Sequence, residues 1–109
     1  MKRVGQVLRL KPEAEFEYRA LHVRIWPEIE EAIRAGGITN YTIFLKDDLL
    51  FAYFEYTGPD DQFEANMQKI ADAPRMQEWW TITKSMQSPL VTRKEGEWWA
   101  DMEAVFHQD

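Results

Sequence analysis

Apolar residues recur along this chain with two different periods, and the change of period divides it into strands and helices. Residues 4–10 form a short run rich in valine and leucine, which predicts a first strand. The runs 38–45 and 49–56 are also rich in strand-forming residues, and the polar segment 46–48 between them has the length of a hairpin turn. Residues 102–107 predict a last strand.

Helical periodicity fills the intervals between these strands. Pro12 stands where a helix can begin, and the acidic residues that follow it suit the positive end of the helix dipole. Pro27 lacks an amide hydrogen and disfavours helical geometry at the residue before it, so we expect the helix to break there and to restart at Pro27. Gly36 then ends the second helix, and two more helices are expected after the turn at 58–60 and from Pro74.

In the first helix, the spacing of Phe16, Ala20 and Val23 predicts that these residues face the core beside the row of Tyr18 and His22. The order of elements is strand, helix, two strands, a helical region and a strand. That order predicts one ferredoxin-like α+β domain over residues 1–109, an antiparallel sheet with helices on one face. Because two of the strands are apolar on both sides, we expect a homodimer, a dimeric α/β barrel in which two sheets cover one another.

Composition limits the partners of the chain. Nineteen acidic residues against thirteen basic ones give a formal charge of −6 at pH 7, which argues against nucleic acid as a partner. The longest apolar runs are far shorter than the roughly 20 residues that span a bilayer, so no membrane segment is expected. The chain has no cysteine, and its basic N-terminus lacks the apolar core of a secretion signal, so the cytoplasm is the expected setting.

The candidate chemistry lies in an aromatic stretch that contains one of only two histidines. Tyr18, His22 and Trp26 follow at four-residue steps and would share one helix face, a pattern that more often belongs to a core. A second aromatic cluster, Trp79-Trp80, favours a site, because adjacent helical residues point about 100° apart and one ring can line a cavity while the other is buried. Imidazole and phenol suit proton transfer, and aromatic rings suit the apolar face of a sugar. We therefore expect His22 to be catalytic and Tyr18, Trp26, Trp79 and Trp80 to bind the substrate.

Other chemistries find little support in the sequence. No glycine-rich phosphate loop is present, and the histidines and carboxylates follow no recognised metal-ligand spacing. Glu28, Glu30 and Glu31 suit the start of a helix better than catalysis. His107, close to the last residue, is a weaker candidate than His22 because terminal residues are often exposed. Neither a metal nor a cofactor is expected.

The sequence resembles the L-rhamnose mutarotases in four segments, in the same order along nearly the whole chain. They are 17–29, with the pattern E-Y-x-x-x-H-x-x-I-W-P-E, then 40–43, 79–80 and 103–107. The resemblance implies a dimeric α+β fold and the interconversion of the α and β anomers of a 6-deoxy sugar without a cofactor. It also implies that His22 is the acid/base, that Tyr18 contacts the sugar, and that Trp79 and Trp80 help to form its pocket.

Two departures from the family pattern leave the choice of sugar open. Val23-Arg24 replaces the polar residue and proline that often follow the histidine, and segment 92–101 is longer and more aromatic than in the best-known members. The resemblance extends to a related branch that acts on L-fucose, which makes L-fucose the alternative substrate. Trp98 or Trp99 is predicted either to close over the sugar pocket and contribute to selecting the sugar, or only to brace the dimer or the last strand.

Two other functions remain open at the level of the sequence. Similar dimeric ferredoxin-like domains host small monooxygenases and haem-degrading proteins, and fold alone does not separate these from a mutarotase. A non-catalytic sugar-binding module is the third alternative, and it would leave anomer exchange at its spontaneous rate.

Overall fold

The computed structural model describes residues 1–109. The helices and strands are β1 Lys2–Leu10, α1 Glu15–Val23, α2 Pro27–Ala35, β2 Ile38–Lys46, β3 Leu49–Tyr56, α3 Phe63–Ala71, α4 Met76–Met86, β4 Gln87–Ser88 and β5 Ala100–Met102. Single 3-10 turns lead into α1 and α3. No helix has both the length and the apolar character to cross a membrane.

All strands belong to one antiparallel sheet in the order β2-β3-β1-β4, and β5 also pairs with β1. The central pair is β1 with β3, in register from Lys2 opposite Tyr56 to Arg9 opposite Leu49. Strand β4 pairs with the end of β1, whereas β5 pairs with its middle. The predicted ferredoxin-like α+β class is confirmed, because helices from every part of the chain pack against one face of this sheet.

Alternation along β3 directs every second side chain toward the helices. Leu50, Ala52, Phe54 and Tyr56 are buried, whereas the residues between them are half-buried on the open face. The larger core cluster joins this strand to the last three helices, through Ile29, Ile38, Phe54, Ile70, Met76 and Trp79. A smaller cluster of Leu10, Tyr18 and Leu50 joins α1 to the sheet.

The predicted helix break is confirmed. Helix α1 ends at Val23, and α2 begins with Pro27 in its first turn, after Trp26 in an extended conformation. At the other end of α2, Gly37 has φ +87°, a conformation that favours glycine, and the chain reverses into β2. Pro27 and Gly37 therefore set the path of the chain around the cavity described below.

The predicted inward face of α1 is wrong. Phe16 and Val23 are 85% and 79% exposed, and Ala20 is exposed as well. The buried side of the helix carries Tyr18, with His22 half-buried one turn later. Both sets of residues have helical spacing, and the set with Tyr18 faces inward because its phenol joins the cluster with Leu10 and Leu50.

The last strand lies earlier than predicted and is shorter. It covers Ala100–Met102, whereas the expected run was 102–107. Residues 103–109 form no regular structure, and Val105 and Phe106 are exposed. Residue type predicts that such a run favours an extended backbone, but a strand also needs a paired partner, and the ladder along β1 stops at Gly5 opposite Met102.

Candidate active site

A cavity of about 1160 Å³ lies between the helices and the inner face of the sheet. Its aromatic lining comes from α1, β2, β3, α4 and the connection between β4 and β5, and comprises His22, Tyr41, Phe54, Trp79, Trp80, Trp98 and Trp99. Polar side chains line it as well, among them Gln6, Thr83, Gln87 and Asp101. A large, mostly apolar cavity with a few polar groups is the usual form of a small-molecule site.

His22 is half-buried in the cavity wall, and one of its ring nitrogens is held in place. Nδ1 lies 2.8 Å from the main-chain carbonyl oxygen of Tyr18, and a carbonyl can only accept, so Nδ1 carries the proton. Nε2 has no hydrogen-bond partner in the chain. Every buried polar side-chain atom has a partner, so Nε2 must be accessible. Desolvation lowers the pKa of His22 below its ordinary value, and the bond to the carbonyl partly opposes the shift. The ring is therefore neutral at pH 7, with a free lone pair on Nε2.

Two aromatic rings fix the orientation of this imidazole. The Tyr18 ring lies beside it with centroids 4.3 Å apart, and Trp79 meets it edge-on at 5.5 Å. Tyr18 comes from the preceding turn of α1, and Trp79 comes from α4. Because one neighbour is local and the other is not, the imidazole can only take this position when α1 and α4 are packed together.

Tyr18 lies behind the cavity wall and not in its lining. It is buried, and its hydroxyl oxygen accepts a hydrogen bond from Nε2 of Gln87 at 3.1 Å. Burial raises the pKa of Tyr18, and the bond from Gln87 lowers it in part, so the phenol is protonated at neutral pH. The sequence pattern predicted that Tyr18 and His22 are neighbours, but it did not predict that only His22 would line the cavity.

Trp26 also lies outside the lining of the cavity. It packs edge-on against Trp79 at 5.1 Å, and the Arg75 guanidinium covers its ring at 3.9 Å. The four-residue row is interrupted because α1 ends at Val23, so Trp26 no longer follows the helical face of Tyr18 and His22. Trp79 and Trp80, by contrast, both line the cavity, the first buried and the second half-buried.

Tyr41 is a cavity residue that the sequence analysis did not single out. Asn40, with φ +52°, and Tyr41 form a bulge opposite Phe54, which shifts the alternation of β2 by one residue. Without the bulge, strict alternation from the buried Ile38 would turn Tyr41 outward; with it, the ring lies against Phe54 at 5.4 Å. Desolvation, and then repulsion from Tyr18 in its ionised form, raise the pKa of Tyr41 to about 12, so its hydroxyl is protonated at neutral pH although 39% of the residue is exposed.

A polar pair on the sheet side of the cavity was also missed. The side-chain amide of Gln6 donates to Asp101 at 3.0 Å, and both residues line the cavity. They meet because β1 and β5 are paired with Gln6 opposite Asp101. No signal in the sequence links two residues that are 95 positions apart.

The tryptophans of the connection between β4 and β5 take different positions. The Trp98 indole donates to Oε1 of Gln87 at 2.9 Å, and the Lys84 ammonium lies 5.4 Å from its ring. The same ammonium lies 5.9 Å from the ring of Trp80. Trp99 packs against the cluster that contains Tyr18. Both tryptophans line the cavity, but a hydrogen bond to Gln87 holds Trp98, whereas apolar contacts hold Trp99.

The second histidine has no place in this site. His107 is exposed and lies 2.8 Å from the carboxylate of Asp109, away from the residues that line the cavity. No group of three or more histidine, aspartate or glutamate side chains is arranged to hold a metal ion.

Comparison with known proteins gives a consistent result. Residues 3–108 match the family model described as L-rhamnose mutarotase. The chain is 42% identical over 82 residues to the L-rhamnose mutarotase of Listeria monocytogenes, which covers 73% of this chain and 74% of that protein. It is 37% identical over 117 residues to the L-rhamnose mutarotase of Lactiplantibacillus plantarum, with full coverage of both chains.

A solved structure agrees in fold. The crystal structure of the L-rhamnose mutarotase FA22100 from Formosa agariphila superimposes with a TM-score of 0.77 at 19% identity and covers both chains completely. That likeness concerns the fold alone, whereas the family model and the relatives above concern the sequence itself. The family model, which spans residues 3–108, and these relatives show that this chain belongs to the L-rhamnose mutarotase family.

Proposed function

We propose that this protein interconverts the α and β anomers of L-rhamnose, with His22 as the acid/base. The observation that carries the proposal is the fixed tautomer of His22, which leaves an accessible, neutral Nε2 at an aromatic cavity. Such a nitrogen can accept a proton and return it near neutral pH. Membership of the family supplies the reaction class and favours a mutarotase over the monooxygenase or haem-degrading alternative.

The reaction needs two proton transfers and no other reagent. Nε2 of His22 removes the proton of the anomeric hydroxyl while a donor gives a proton to the ring oxygen. The bond from C1 to the ring oxygen then breaks, and the free aldehyde forms. Rotation about C1–C2 presents the other face of the carbonyl, and reversal of both transfers closes the ring as the other anomer. We assign the donor role to the hydroxyl of Tyr41, which is protonated at neutral pH and lies on the same cavity.

The lining of the cavity suits a deoxy sugar. The indoles of Trp79, Trp80 and Trp98 offer apolar surface for the C–H face of the ring and for the methyl group of a 6-deoxy sugar. Gln6 and Asp101 offer an amide and a carboxylate for its hydroxyls. Tyr18 and Trp26 support the site from behind, as the anchors of His22 and Trp79, so we propose no direct sugar contact for Trp26.

We propose further that two copies associate through the open face of the sheet. Phe44 is 62% exposed there, opposite Phe51, and Tyr53 and Met102 lie on the same face of the sheet. Apolar residues on one sheet face of a small domain favour contact with an identical face. A second copy of this chain is the occupant that the sequence pattern itself predicts.

The test of the proposed function is anomer exchange measured by NMR on L-rhamnose and L-fucose side by side. Magnetisation transfer between the two anomeric proton signals gives the exchange rate with and without the protein. We expect exchange above the spontaneous rate, faster on L-rhamnose than on L-fucose. Saturable sugar binding with exchange at the spontaneous rate would instead identify a binding module, and faster exchange on L-fucose would reassign the substrate.

A further inference from the structure

Gln87 connects the two sides of the site through one buried amide. It is the first residue of β4, only 5% exposed, and it pairs with Leu10 of β1 in the ladder. Its Oε1 accepts from the indole of Trp98 at 2.9 Å, and its Nε2 donates to the hydroxyl of Tyr18 at 3.1 Å. The amide therefore joins the connection between β4 and β5 to helix α1.

Trp98 determines the direction of both hydrogen bonds that Gln87 makes. An indole nitrogen can only donate, so the amide oxygen of Gln87 must face Trp98 and its NH₂ must face Tyr18. The Tyr18 oxygen is then the acceptor of that bond, and its own proton remains to be donated elsewhere. One donor-only group thus sets the polarity of two further residues.

The two hydrogen bonds of the Gln87 amide lead to different parts of the site. On one side, the Tyr18 ring lies 4.3 Å from the His22 ring, and its carbonyl holds Nδ1 of His22. On the other side, Trp98 lines the cavity with Lys84 over its face. Gln87 also lines the cavity itself, and its two hydrogen bonds connect it to Tyr18, which holds the imidazole, and to Trp98.

We propose that Gln87 is a positioning residue of the sugar site, whose amide keeps Tyr18 as an acceptor on its buried side and holds the Trp98 wall at a set distance from His22. This inference rests on the proposed mutarotase function. It divides the role of Gln87 into two separable parts: the bond to Tyr18 serves the catalytic step, and the bond to Trp98 serves sugar binding. Gln87→Glu loses the first part alone, and Gln87→Met loses both.

Gln87→Glu separates the two parts because the side chain keeps nearly the same shape. A carboxylate still accepts from the Trp98 indole, but it cannot donate to Tyr18, so the phenol must turn its proton toward it. Gln87→Met has a similar volume and makes neither bond, which leaves the indole and the phenol without their buried partner. Gln62→Glu, on the exposed turn before α3, adds the same charge away from the cavity and is the matched control.

The experiment measures kcat and KM for L-rhamnose anomer exchange and the indole N–H resonance of Trp98. For Gln87→Glu we expect an indole resonance close to that of the wild type, a KM within threefold, and a kcat lower by about 10- to 100-fold, as for a misplaced catalytic group. For Gln87→Met we expect a shifted indole resonance and a raised KM as well. Gln62→Glu should match the wild type in all three.

A double-mutant cycle with Tyr18→Phe tests whether Gln87 acts through the phenol. Without the hydroxyl, Gln87→Glu should lower kcat by less than threefold, whereas a general effect of charge or folding would lower it as much as before. Unchanged kcat in folded Gln87→Glu, or equal losses in both backgrounds, would overturn the inference. Failure of the proposed function is distinct, because it shows already as spontaneous exchange with the wild-type protein.

Discussion

At the scale of single residues, the two histidines of this chain differ in what surrounds them. The His22 imidazole is bounded by Tyr18 and Trp79 and has one nitrogen held by a carbonyl, whereas His107 is exposed beside a carboxylate near the C-terminus. Only the first is desolvated, and only the first lines the cavity. The pair therefore provides its own control for any experiment on proton transfer.

We predict that His22→Ala lowers the rate of anomer exchange by about 10²- to 10⁴-fold, the usual contribution of a general acid/base. His107→Ala should exchange at the wild-type rate. NMR exchange rates measure both, and circular dichroism checks that each variant is folded. Near-normal exchange in folded His22→Ala would remove the assignment of the acid/base.

The pH dependence follows from the lowered pKa of His22. The base form persists below the ordinary value of 6.5, so we expect the exchange rate to hold through neutral pH and to fall only at a pH below that value. The free energy of unfolding depends on pH in the same direction, because the unfolded chain takes up the His22 proton at a higher pH than the folded chain does. The contribution of neutral His22 to stability is therefore complete above pH 6.5 and is lost as the pH falls toward the pKa of the folded state. Rate–pH profiles of the wild type check the first point, and a midpoint above 6.5 would contradict it.

At the scale of elements, the connection between β4 and β5 carries two adjacent tryptophans with different attachments. Trp98 is held by the Gln87 amide, and Trp99 is held by the apolar cluster that contains Tyr18. The two positions should therefore fail in different ways when truncated.

We predict that Trp98→Ala changes the ratio of exchange rates on L-rhamnose and L-fucose in a stably folded protein, because it removes one wall of the cavity. Trp99→Ala should instead lower the free energy of unfolding by about 2 kcal/mol, less than for a fully buried aromatic residue. Urea unfolding measures the second effect and NMR exchange the first. An unchanged ratio in Trp98→Ala would restrict that residue to a structural role.

At the scale of the whole molecule, the apolar surface is unevenly covered. The helices bury one face of the sheet, while Phe44 on the other face remains exposed. Phe16 is also exposed, but it lies on α1, away from the sheet. The two phenylalanines allow the proposed dimer face to be tested against another apolar surface of the same chain.

We predict a homodimer at micromolar concentration that Phe44→Lys dissociates, because a charge on each copy would be buried against the other. Phe16→Lys should remain dimeric. Light scattering gives the mass of each. A monomeric wild type, or dissociation by Phe16→Lys with Phe44→Lys still dimeric, would contradict association through the sheet.

The amino-acid sequence by itself determined the local path of the chain. The helix break at Pro27, the turn at 46–48 and the end of α2 at Gly36 depend on backbone preferences of residues within one or two turns, which a single sequence displays. Its aromatic spacing also predicted that Tyr18 and His22 are neighbours, as they are.

The tertiary structure alone decided where side chains go. It turned Phe16 outward, placed Trp26 behind Trp79, and brought Gln87 between Tyr18 and Trp98. Each outcome depends on contacts between residues far apart in sequence. Local preferences do not determine which of two helix faces with the same spacing is buried, and they do not determine where strand pairing ends. The chain thus specifies its elements locally, while the cavity exists only once these elements pack together.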